Sequence, residues 1–580
     1  MPQRSRLPSP AGDNAPIRTQ VRRAVERAWA RVIEVGGLPP LPEGDAPALT
    51  TVEIERPANP EHGDFASNLA MKLARPYRRS PLDIARTIAA ELTAETEHEP
   101  AATPIASVAV APPGFLNLWL ADHALEATIA GVLASPDAWG RVQTERPRAH
   151  ERVNVEFVSA NPTGPLTIGN ARGAFTGDLL CRVLDAAGRQ VTREYYFNDS
   201  GAQVNNLGAS VLAVRNRQPI PEDGYHGDYV IELAHEVPQE VLEATTEPGA
   251  DPSEMVGRWA SERIRAGIER SLDNLGVHFD VWTTERSLYD DGWVQQAIER
   301  LRAGGHVYEQ EGALWFRSTD FGDDKDRVVL RSNGAPTYFA SDIGYVTEKF
   351  SRGFDHLIYI WGADHHGTVA RVRNAAAAMG YDREAVEMIL TAWVHFVRDG
   401  VEVGMSKRAG TFVTLDELLA EVGVDAARWF FGSRAATSGI DFDIELAKKQ
   451  SAENPVYYVQ YAHARIASIL RKAADAGLSP AEGSGAVEGL LAGAPEAALA
   501  RQVARLPEVV EDAAAAHETH GITAYATELA TTFHAFYRDA RVVDAEEPER
   551  SRRRLALVSA ARITLASTLG LLGISAPESM

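Results

Sequence analysis

The sequence contains a single cysteine, Cys181, so it cannot form an internal disulfide or a zinc site built from paired cysteines. No uninterrupted apolar run approaches the ~18 residues that a membrane span needs. Residues 1–16 lack the apolar core of a secretory signal and are expected to be a disordered lead-in. Neither a Walker-type loop nor a GxGxxG fingerprint occurs, which excludes the commonest ways of holding a nucleotide. We therefore expect a cytoplasmic protein, and any nucleotide site must be built differently.

Positive charge is also scarce, because 58 Lys and Arg residues stand against 80 Asp and Glu residues and give a formal net charge of −22. This balance excludes a general nucleic-acid coat protein, since phosphate contacts need clustered basic side chains. It does not exclude an RNA-dependent enzyme with a local basic face. A chain of 580 residues is too long for one hydrophobic core, so several domains are expected.

Changes in hydrophobic pattern divide the chain after the lead-in. Residues 17–123 mix amphipathic helices with strands and predict an α+β domain. Residues 124–453 contain a strand–helix–strand pattern, which predicts a parallel sheet. A charged and mostly helical insertion interrupts them at about 212–325. Residues 454–580 are almost entirely helical in pattern and predict an all-α bundle. The fold class is multidomain α/β.

The first candidate site is the loop NPTGPLTIGN, residues 161–170, between a predicted strand and a predicted helix. Its prolines and glycines fix a tight turn, and Gly169 leaves room for a ring or a phosphate near the backbone. The N-terminus of the following helix offers N–H groups and a positive dipole end to an anion. Ordinary strand-to-helix loops have the same composition, so the spacing alone leaves both interpretations open.

The second candidate is VGMSKRAGTFVTLDELL, residues 403–419, a glycine-flanked basic segment before a helix. Lys407 and Arg408 could neutralise the charge that develops as pyrophosphate leaves a triphosphate. The alternative for an isolated SKR is a solvated basic turn.

Together these two segments resemble the paired signature motifs of class I aminoacyl-tRNA synthetases, written HIGH and KMSKS, in the same order and with a long insertion between them. Further blocks narrow the resemblance to the arginine-specific family and extend it over nearly the whole chain. These blocks are PEHGDFASNLAMKLA, REYYFNDSGAQ, FGDDKDRVVLRSNGAPTYFASDIGY, WGADHHG and NPVYYVQYAHARI. The resemblance implies a Rossmann-type catalytic core, an N-terminal tRNA-contacting domain and a C-terminal anticodon-binding bundle.

The resemblance also implies an activity and its partners. The enzyme would activate L-arginine with ATP and transfer it to the 3′-terminal ribose of tRNA. ATP is then a substrate that brings Mg²⁺, with no permanently bound metal, and the protein is expected to be a monomer that binds no membrane.

The resemblance assigns roles to individual residues. The arginine-binding residues are Glu156, Ser159, Asn161, Tyr338 and Asp342. The ATP-binding residues are Pro162, Gly164, Gly169, Gly362, Asp364, His366 and Met405. The catalytic residues are Lys407, Arg408, Thr167 and Asn170, and Tyr461 and Arg465 are candidates for tRNA contact.

Guanidinium chemistry gives an independent reason to single out two of these residues. A planar cation with five donors requires a carboxylate and an aromatic or amide frame. Tyr338 and Asp342 are four residues apart, which places both on one helical face. The alternative is that Tyr338 belongs to the core and Asp342 caps a helix.

Several features keep other functions open. Thr167 and Asn170 replace the histidines of HIGH, and Gly404 replaces the first lysine of KMSKS. A specialised or less active second copy, an inhibitor-resistant copy, a non-catalytic tRNA binder and a synthetase for another amino acid are the alternatives. The Asp-His-His run at 364–366 also matches manganese phosphoesterases, but those enzymes need an aspartate cluster on an N-terminal strand, which residues 153–164 do not supply.

Overall fold

The computed structural model describes residues 15–41, 52–142, 150–402, 414–481 and 487–580. Most of the predicted lead-in and the whole of 403–413 lie outside these residues, and so do Gly404, Met405, Lys407 and Arg408.

The N-terminal unit packs helices on a small antiparallel sheet. In its first helix the buried residues Val21, Val25, Ala28 and Val32 recur at intervals of three and four, so one apolar stripe faces the sheet and its neighbouring helices. The strand order is β1-β3-β2. The elements are α1 (Ile17–Glu34), β1 (Phe65–Ser67), α2 (Leu69–Tyr77), α3 (Pro81–His98), β2 (Ile105–Ala111), β3 (Phe115–Leu120) and α4 (Asp122–Ala134).

The centre of the molecule is a five-stranded parallel sheet of order β11-β10-β4-β5-β6. The predicted strand–helix–strand unit is confirmed, because β4 and β5 are parallel and α5 connects them. Gly177 lets α5 lie against the sheet, since a Cβ there would come within 2.2 Å of the Phe157 ring. The elements are β4 (Arg152–Glu156), α5 (Ile168–Ala186), β5 (Gln190–Phe197), β6 (Val281–Thr284), α12 (Tyr338–Ser351), β10 (His356–Gly362), α13 (His366–Ala378) and β11 (Val386–Thr391).

Two insertions and a small third sheet surround this core. The helices between β5 and β6 are α6 (Ala202–Arg215), α7 (Asp228–Glu236), α8 (Gln239–Ala244) and α9 (Pro252–Asn274). An antiparallel β7-β8-β9 sheet follows with α10 (Glu285–Asp290), α11 (Trp293–Ala303), β7 (Val307–Gln310), β8 (Ala313–Phe316) and β9 (Arg327–Leu330). The third sheet, β13-β12-β14, and its helices comprise β12 (Val394–Arg398), β13 (Val401–Glu402), α14 (Leu415–Val422), α15 (Val424–Gly432), β14 (Ile440–Asp443) and α16 (Ile444–Lys448).

The C-terminal part is an all-α bundle, as predicted. Its helices are α17 (Pro455–Asp475), α18 (Ala494–Ala504), α19 (Leu506–Ala516), α20 (Gly521–Asp539) and α21 (Pro548–Leu572). Among the described helices, α21 alone is long and apolar enough to cross a membrane, but 61% of its apolar window is buried inside the protein. Core helices of soluble proteins pass the same test, so this is weak evidence for a span.

A buried ion pair joins the central sheet domain to the C-terminal bundle. The Arg428 guanidinium donates to Asp178 Oδ2 at 2.7 Å and to the carbonyl oxygens of Leu275 and Leu572 at 2.7 and 3.2 Å. Arg428 is 3% exposed and Asp178 is 1% exposed. The pair therefore ties together α5, the end of α9 and the end of α21.

We expect Asp178→Asn to destabilise the protein by about 3–5 kcal/mol, because the buried Arg428 charge loses its counterion. Urea unfolding followed by circular dichroism measures the loss. The matched control is Glu421→Gln, which removes an exposed partner of Arg398 and should cost below about 1 kcal/mol. Equal effects of the two substitutions would contradict this assignment.

Candidate active site

The candidate site lies where the strand order of the central sheet changes direction. The chain runs outward from β4 through β5 to β6, and later returns on the other side of β4 as β10 and β11. In open parallel sheets such a switch point leaves a crevice at the carboxyl ends of the two central strands. Glu156 ends β4 and Gly362 ends β10, so both predicted site residues lie at this crevice.

Two tyrosine hydroxyls hold the loop that follows β4 in an unusual backbone conformation. Val158 and Ser159 have φ values of 67° and 37°, in a left-handed region that non-glycine residues seldom occupy. The Tyr195 hydroxyl donates to the Ala160 carbonyl at 3.0 Å, and the Tyr229 hydroxyl donates to the Thr163 carbonyl at 2.8 Å. These contacts fix a backbone conformation that a free loop would avoid.

This loop brings two of the predicted arginine-binding residues together. Ser159 Oγ donates to Glu156 Oε1 at 2.8 Å, and it accepts from the Tyr196 backbone N–H at 3.1 Å. Glu156 is 3% exposed, whereas Asn161 lies exposed at the entrance. Pro162 and Gly164 are buried within the loop and shape its backbone.

Thr167 and Asn170, which stand at the positions of the HIGH histidines, form a helix cap. The backbone N–H and the hydroxyl of Thr167 both donate to Asn170 Oδ1, each at 3.0 Å. The Thr167 hydroxyl proton is therefore engaged within the protein, and the amide nitrogen of Asn170 is the side-chain donor that remains for an incoming oxygen. Gly169 is exposed, and a Cβ there would meet nothing closer than Thr167 Oγ1 at 3.5 Å. The space beside the helix N-terminus is open.

The C-terminal end of the basic segment 403–419 contacts the first signature loop. Thr414 forms an isolated antiparallel bridge with Thr167, and the Leu415 N–H donates to the Leu166 carbonyl at 2.9 Å. Whatever the position of 403–413 itself, the chain leaves that segment beside the first signature loop.

Asp342 is partly buried near two other carboxylates and one cation. Burial raises the pKa of Asp342 to about 7; the cation of Arg371 opposes the shift, and the negative charges of Glu156 and Glu285 add to it. Burial likewise raises the pKa of Glu285, whose Oε1 accepts from Ser341 Oγ at 2.9 Å. Such a cluster gains stability from a bound cation.

Tyr338 is placed differently from Asp342. Thr337 caps α12 and Tyr338 is its first residue, so the ring projects past the helix end and is 65% exposed. It borders a cavity of about 230 Å³ whose lining includes three cations, Arg327, Arg331 and Arg371. The alternative in which Tyr338 is a core residue and Asp342 a helix cap is therefore wrong.

Residues at the end of β10 form another side of the crevice. A Cβ at Gly362 would lie 2.4 Å from Asp364 Oδ1, the tip of an exposed side chain that can turn away, so a larger residue could be accommodated there. Asp364 and His366 are exposed on the turn into α13. The group of described residues with metal-ligand spacing is elsewhere, at His356, Glu387 and His517. The phosphoesterase reading of Asp364 thus gains no support.

Three important residues of this site were not predicted from the sequence. Glu285 and Arg371 come from separate segments that only the fold brings to Asp342, and Lys349 is brought by the fold to Glu156. One signal was available for Lys349, because it lies seven residues after Asp342, two turns along the same helix face.

If Asp342 binds the guanidinium group, as the sequence resemblance implies, its raised pKa predicts a pH dependence of arginine binding. A protonated Asp342 cannot pair with a guanidinium, so kcat/KM for arginine should rise about tenfold per pH unit below about 7 and level off above it. Asp342→Asn should remove this acid limb. Arginine-dependent pyrophosphate exchange between pH 5.5 and 8.5 measures the profile, and a flat wild-type profile would refute the prediction.

The predicted RNA-contacting residues lie on the surface of the bundle. Tyr461 is 39% exposed and stacks against Tyr457, with ring centroids 6.4 Å apart. The Arg465 guanidinium lies 5.8 Å from the Tyr461 ring and 4.4 Å from the Tyr537 ring. Aromatic faces next to a cation suit unstacked bases.

Comparison with known proteins gives consistent matches along the chain. The arginyl tRNA synthetase N-terminal domain model matches residues 16–120, the model of the class I (R) tRNA synthetase catalytic domain matches 250–432, and the DALR anticodon binding domain model matches 459–580.

Individual relatives agree with these models. The arginine–tRNA ligase of Citrifermentans bemidjiense is 46% identical over 93% of this chain and 96% of its own length. That of Moorella thermoacetica is 46% identical over 91% of this chain and 93% of its own. The solved Thermus thermophilus arginyl-tRNA synthetase superposes with a TM-score of 0.72 at 25% identity, covering 97% of this chain and 100% of that one.

Proposed function

This chain belongs to the arginyl-tRNA synthetase family, and from that premise we propose which of its residues join L-arginine to tRNA. Its activity is that of an arginine–tRNA ligase with a class I catalytic core and a helical anticodon-binding domain. The observation that supports the residue assignment best is the anionic pocket around Asp342, which adjoins the crevice at the sheet's switch point.

Arginine is proposed to lie between two carboxylates. The guanidinium group pairs with Asp342 and is bordered by Tyr338, whereas the α-amino group donates to Glu156. Ser159 orients Glu156, and Asn161 at the entrance faces the substrate carboxylate. This arrangement rejects lysine, because a single ammonium leaves part of a site built for a planar fork unpaired.

ATP is proposed to enter as its magnesium complex along the ends of β4 and β10. Gly362 and Asp364 would face adenine and ribose, with His366 nearby. Pro162, Gly164 and Gly169 keep the backbone of the first loop close, and the N-terminus of α5 with Asn170 would face the phosphates. Lys407, Arg408 and Met405 are assigned to the triphosphate on the sequence resemblance alone.

The reaction then needs no covalent enzyme intermediate. An arginine carboxylate oxygen forms a bond to the α-phosphorus of ATP, the bond to the bridging oxygen breaks, and pyrophosphate leaves with magnesium. A hydroxyl of the terminal tRNA ribose next attacks the arginyl carbonyl, and AMP departs. Alignment and charge stabilisation supply the acceleration.

The buried carboxylate pocket favours an active enzyme over a non-catalytic tRNA binder, because RNA binding requires no such pocket. Whether this is the housekeeping enzyme or a specialised copy depends on its rate with Thr167 and Asn170 in the signature positions. We propose a cytoplasmic monomer divided at 17–123, 124–453 and 454–580. Charging of total tRNA with each of the twenty amino acids tests the assignment; arginine alone should be accepted, and efficient charging with another amino acid would overturn it.

The bundle surface is tested separately through tRNA. We expect Tyr461→Ala to raise the KM for tRNA about tenfold, since loss of one stacking ring costs about 1–3 kcal/mol. Tyr461→Phe keeps the ring and serves as the control. If the KM for tRNA stays the same in Tyr461→Ala, Tyr461 does not contact tRNA.

A further inference from the structure

Lys349 is a charged side chain that is completely enclosed. It lies on α12, is 0% exposed, and sits beneath the crevice. Burying an ammonium is costly unless it is paired, so its surroundings must compensate. Burial indeed lowers the pKa of Lys349, while Glu156 and Glu194 oppose that shift.

The groups around Lys349 come from three adjacent strands and from α12 itself. Its Nζ donates to Glu156 Oε2 at 3.2 Å and lies 3.9 Å from the centre of the Tyr359 ring and 4.0 Å from that of Tyr345. Glu156 is aligned with Glu194 on one neighbouring strand and with Tyr359 on the other. Lys349 therefore crosses β10, β4 and β5 at the level of the predicted α-amino site.

Glu194 is held by donors other than Lys349, whose hydrogen bond goes to Glu156. It accepts from Thr283, Tyr345 and Arg352 at 2.7, 2.8 and 2.7 Å. Glu194 is thus engaged by neutral donors and by Arg352, which also pairs with Glu348. Lys349 acts on Glu194 through its charge, whereas its hydrogen bond goes to Glu156.

Glu156 keeps an unused acceptor position, which suits the ammonium group of a substrate. Oε2 takes the lysine, and Oε1 takes the Ser159 hydroxyl, but a carboxylate oxygen has a second lone pair. A substrate ammonium can use that lone pair only if the carboxylate is correctly turned, and the contact with Lys349 fixes its orientation.

We propose that Lys349 is a positioning residue that sets the length of the amino-acid pocket. It does so by holding Glu156 at a fixed distance from Asp342, which lies on the same helix as Lys349. Asp342 precedes Lys349 by seven residues, about 10 Å along the helix axis. Because one rigid helix carries both the guanidinium partner and the group that holds the α-amino partner, the distance between the two carboxylates is fixed. The proposal rests on the arginine pocket proposed above.

The test compares arginine with L-homoarginine, which is one methylene longer. We expect Lys349→Met to raise the KM for arginine at least about tenfold with the KM for ATP unchanged, and to lower the preference for arginine over homoarginine about fivefold or more. We also expect the pH profile of kcat/KM for arginine to differ from that of the wild type, because Lys349 helps to lower the pKa of Glu194 and the variant lacks that positive charge. The groups that face Lys349 in this experiment are Glu156, Glu194, Arg352, Glu348, Tyr345 and Tyr359.

Two controls separate positioning from stability. Arg352→Gln breaks the same network at Glu194 and should lower the unfolding midpoint while leaving the arginine–homoarginine preference intact. Tyr359→Phe should change nothing, since the Tyr359 hydroxyl has no hydrogen-bond partner among the described residues.

If Lys349→Met does not fold, Tyr359→Leu removes one ring from the lysine without removing its charge. It should lower the preference for arginine over homoarginine in the same direction by a smaller factor. An unchanged preference and an unchanged pH profile in a folded variant would overturn the proposal. Failure of the wild-type protein to activate arginine would instead reject the proposed pocket itself.

Discussion

Replacing Asp342 with asparagine is expected to lower kcat/KM for arginine by roughly 10²–10³-fold, as expected when one partner of a buried ion pair is removed. Asp342 is the carboxylate proposed to pair with the guanidinium, and burial raises its pKa to about 7 because its negative charge is disfavoured without a cation. Asparagine keeps the shape but offers one acceptor and no charge. Arginine-dependent pyrophosphate exchange with tRNA present measures the effect.

The KM for ATP should remain within about threefold of wild type in the Asp342→Asn variant, since only the amino-acid pocket is changed. Asp355→Asn is a matched control at the opposite end of the sheet, where Asp355 Oδ2 accepts from the Arg152 N–H. That variant should activate arginine normally. An Asp342→Asn enzyme with normal arginine kinetics would show that the guanidinium binds elsewhere.

Changing Lys407 to alanine is expected to reduce the rate of adenylate formation about 10²–10³-fold, with the KM for arginine changed little. The reason is the scarcity of other cations in the signature motifs. Thr167 and Asn170 are uncharged and tied to each other, and Gly404 stands where a first lysine is usual. The bridge between Thr414 and Thr167 supports placing this segment beside the phosphates.

Single-turnover formation of arginyl-adenylate measures the Lys407→Ala effect without product release. Lys448→Ala is the control, because Lys448 is an exposed lysine that pairs with Glu421 and Glu445. Near-normal adenylate formation by Lys407→Ala would contradict the assignment and leave Arg408 as the remaining cation of the segment.

The parts of the fold that were predictable have local signals. The strand Gln190–Phe197 is rich in β-branched and aromatic residues, Gly188 closes the α5 helix, and the Pro/Gly loop between β4 and α5 marks the turn. The three-residue strand Phe65–Ser67 is too short to show a period, so it could not be predicted. The parallel sheet followed from the strand–helix–strand order, whereas its switch point required the strand pairing.

The site was predictable only as far as each motif is continuous in sequence. The Glu156–Ser159 contact arises within one loop, and the resemblance identified both residues. Glu285 and Arg371 reach Asp342 from distant segments, and a buried lysine such as Lys349 looks in sequence like any charged helix residue. Tyr338 and Asp342 share a helical face as predicted, but the helix begins at Tyr338, so their exposures differ.

The most direct measurement is the activation of L-arginine compared with L-citrulline, whose neutral urea group has nearly the shape of a guanidinium. A pocket that selects by the charge of Asp342 should activate citrulline at least about 10³-fold less efficiently, because the buried carboxylate would lack its cation. Citrulline activated within about tenfold of arginine would show that charge does not select the substrate, and the account of the pocket would be wrong.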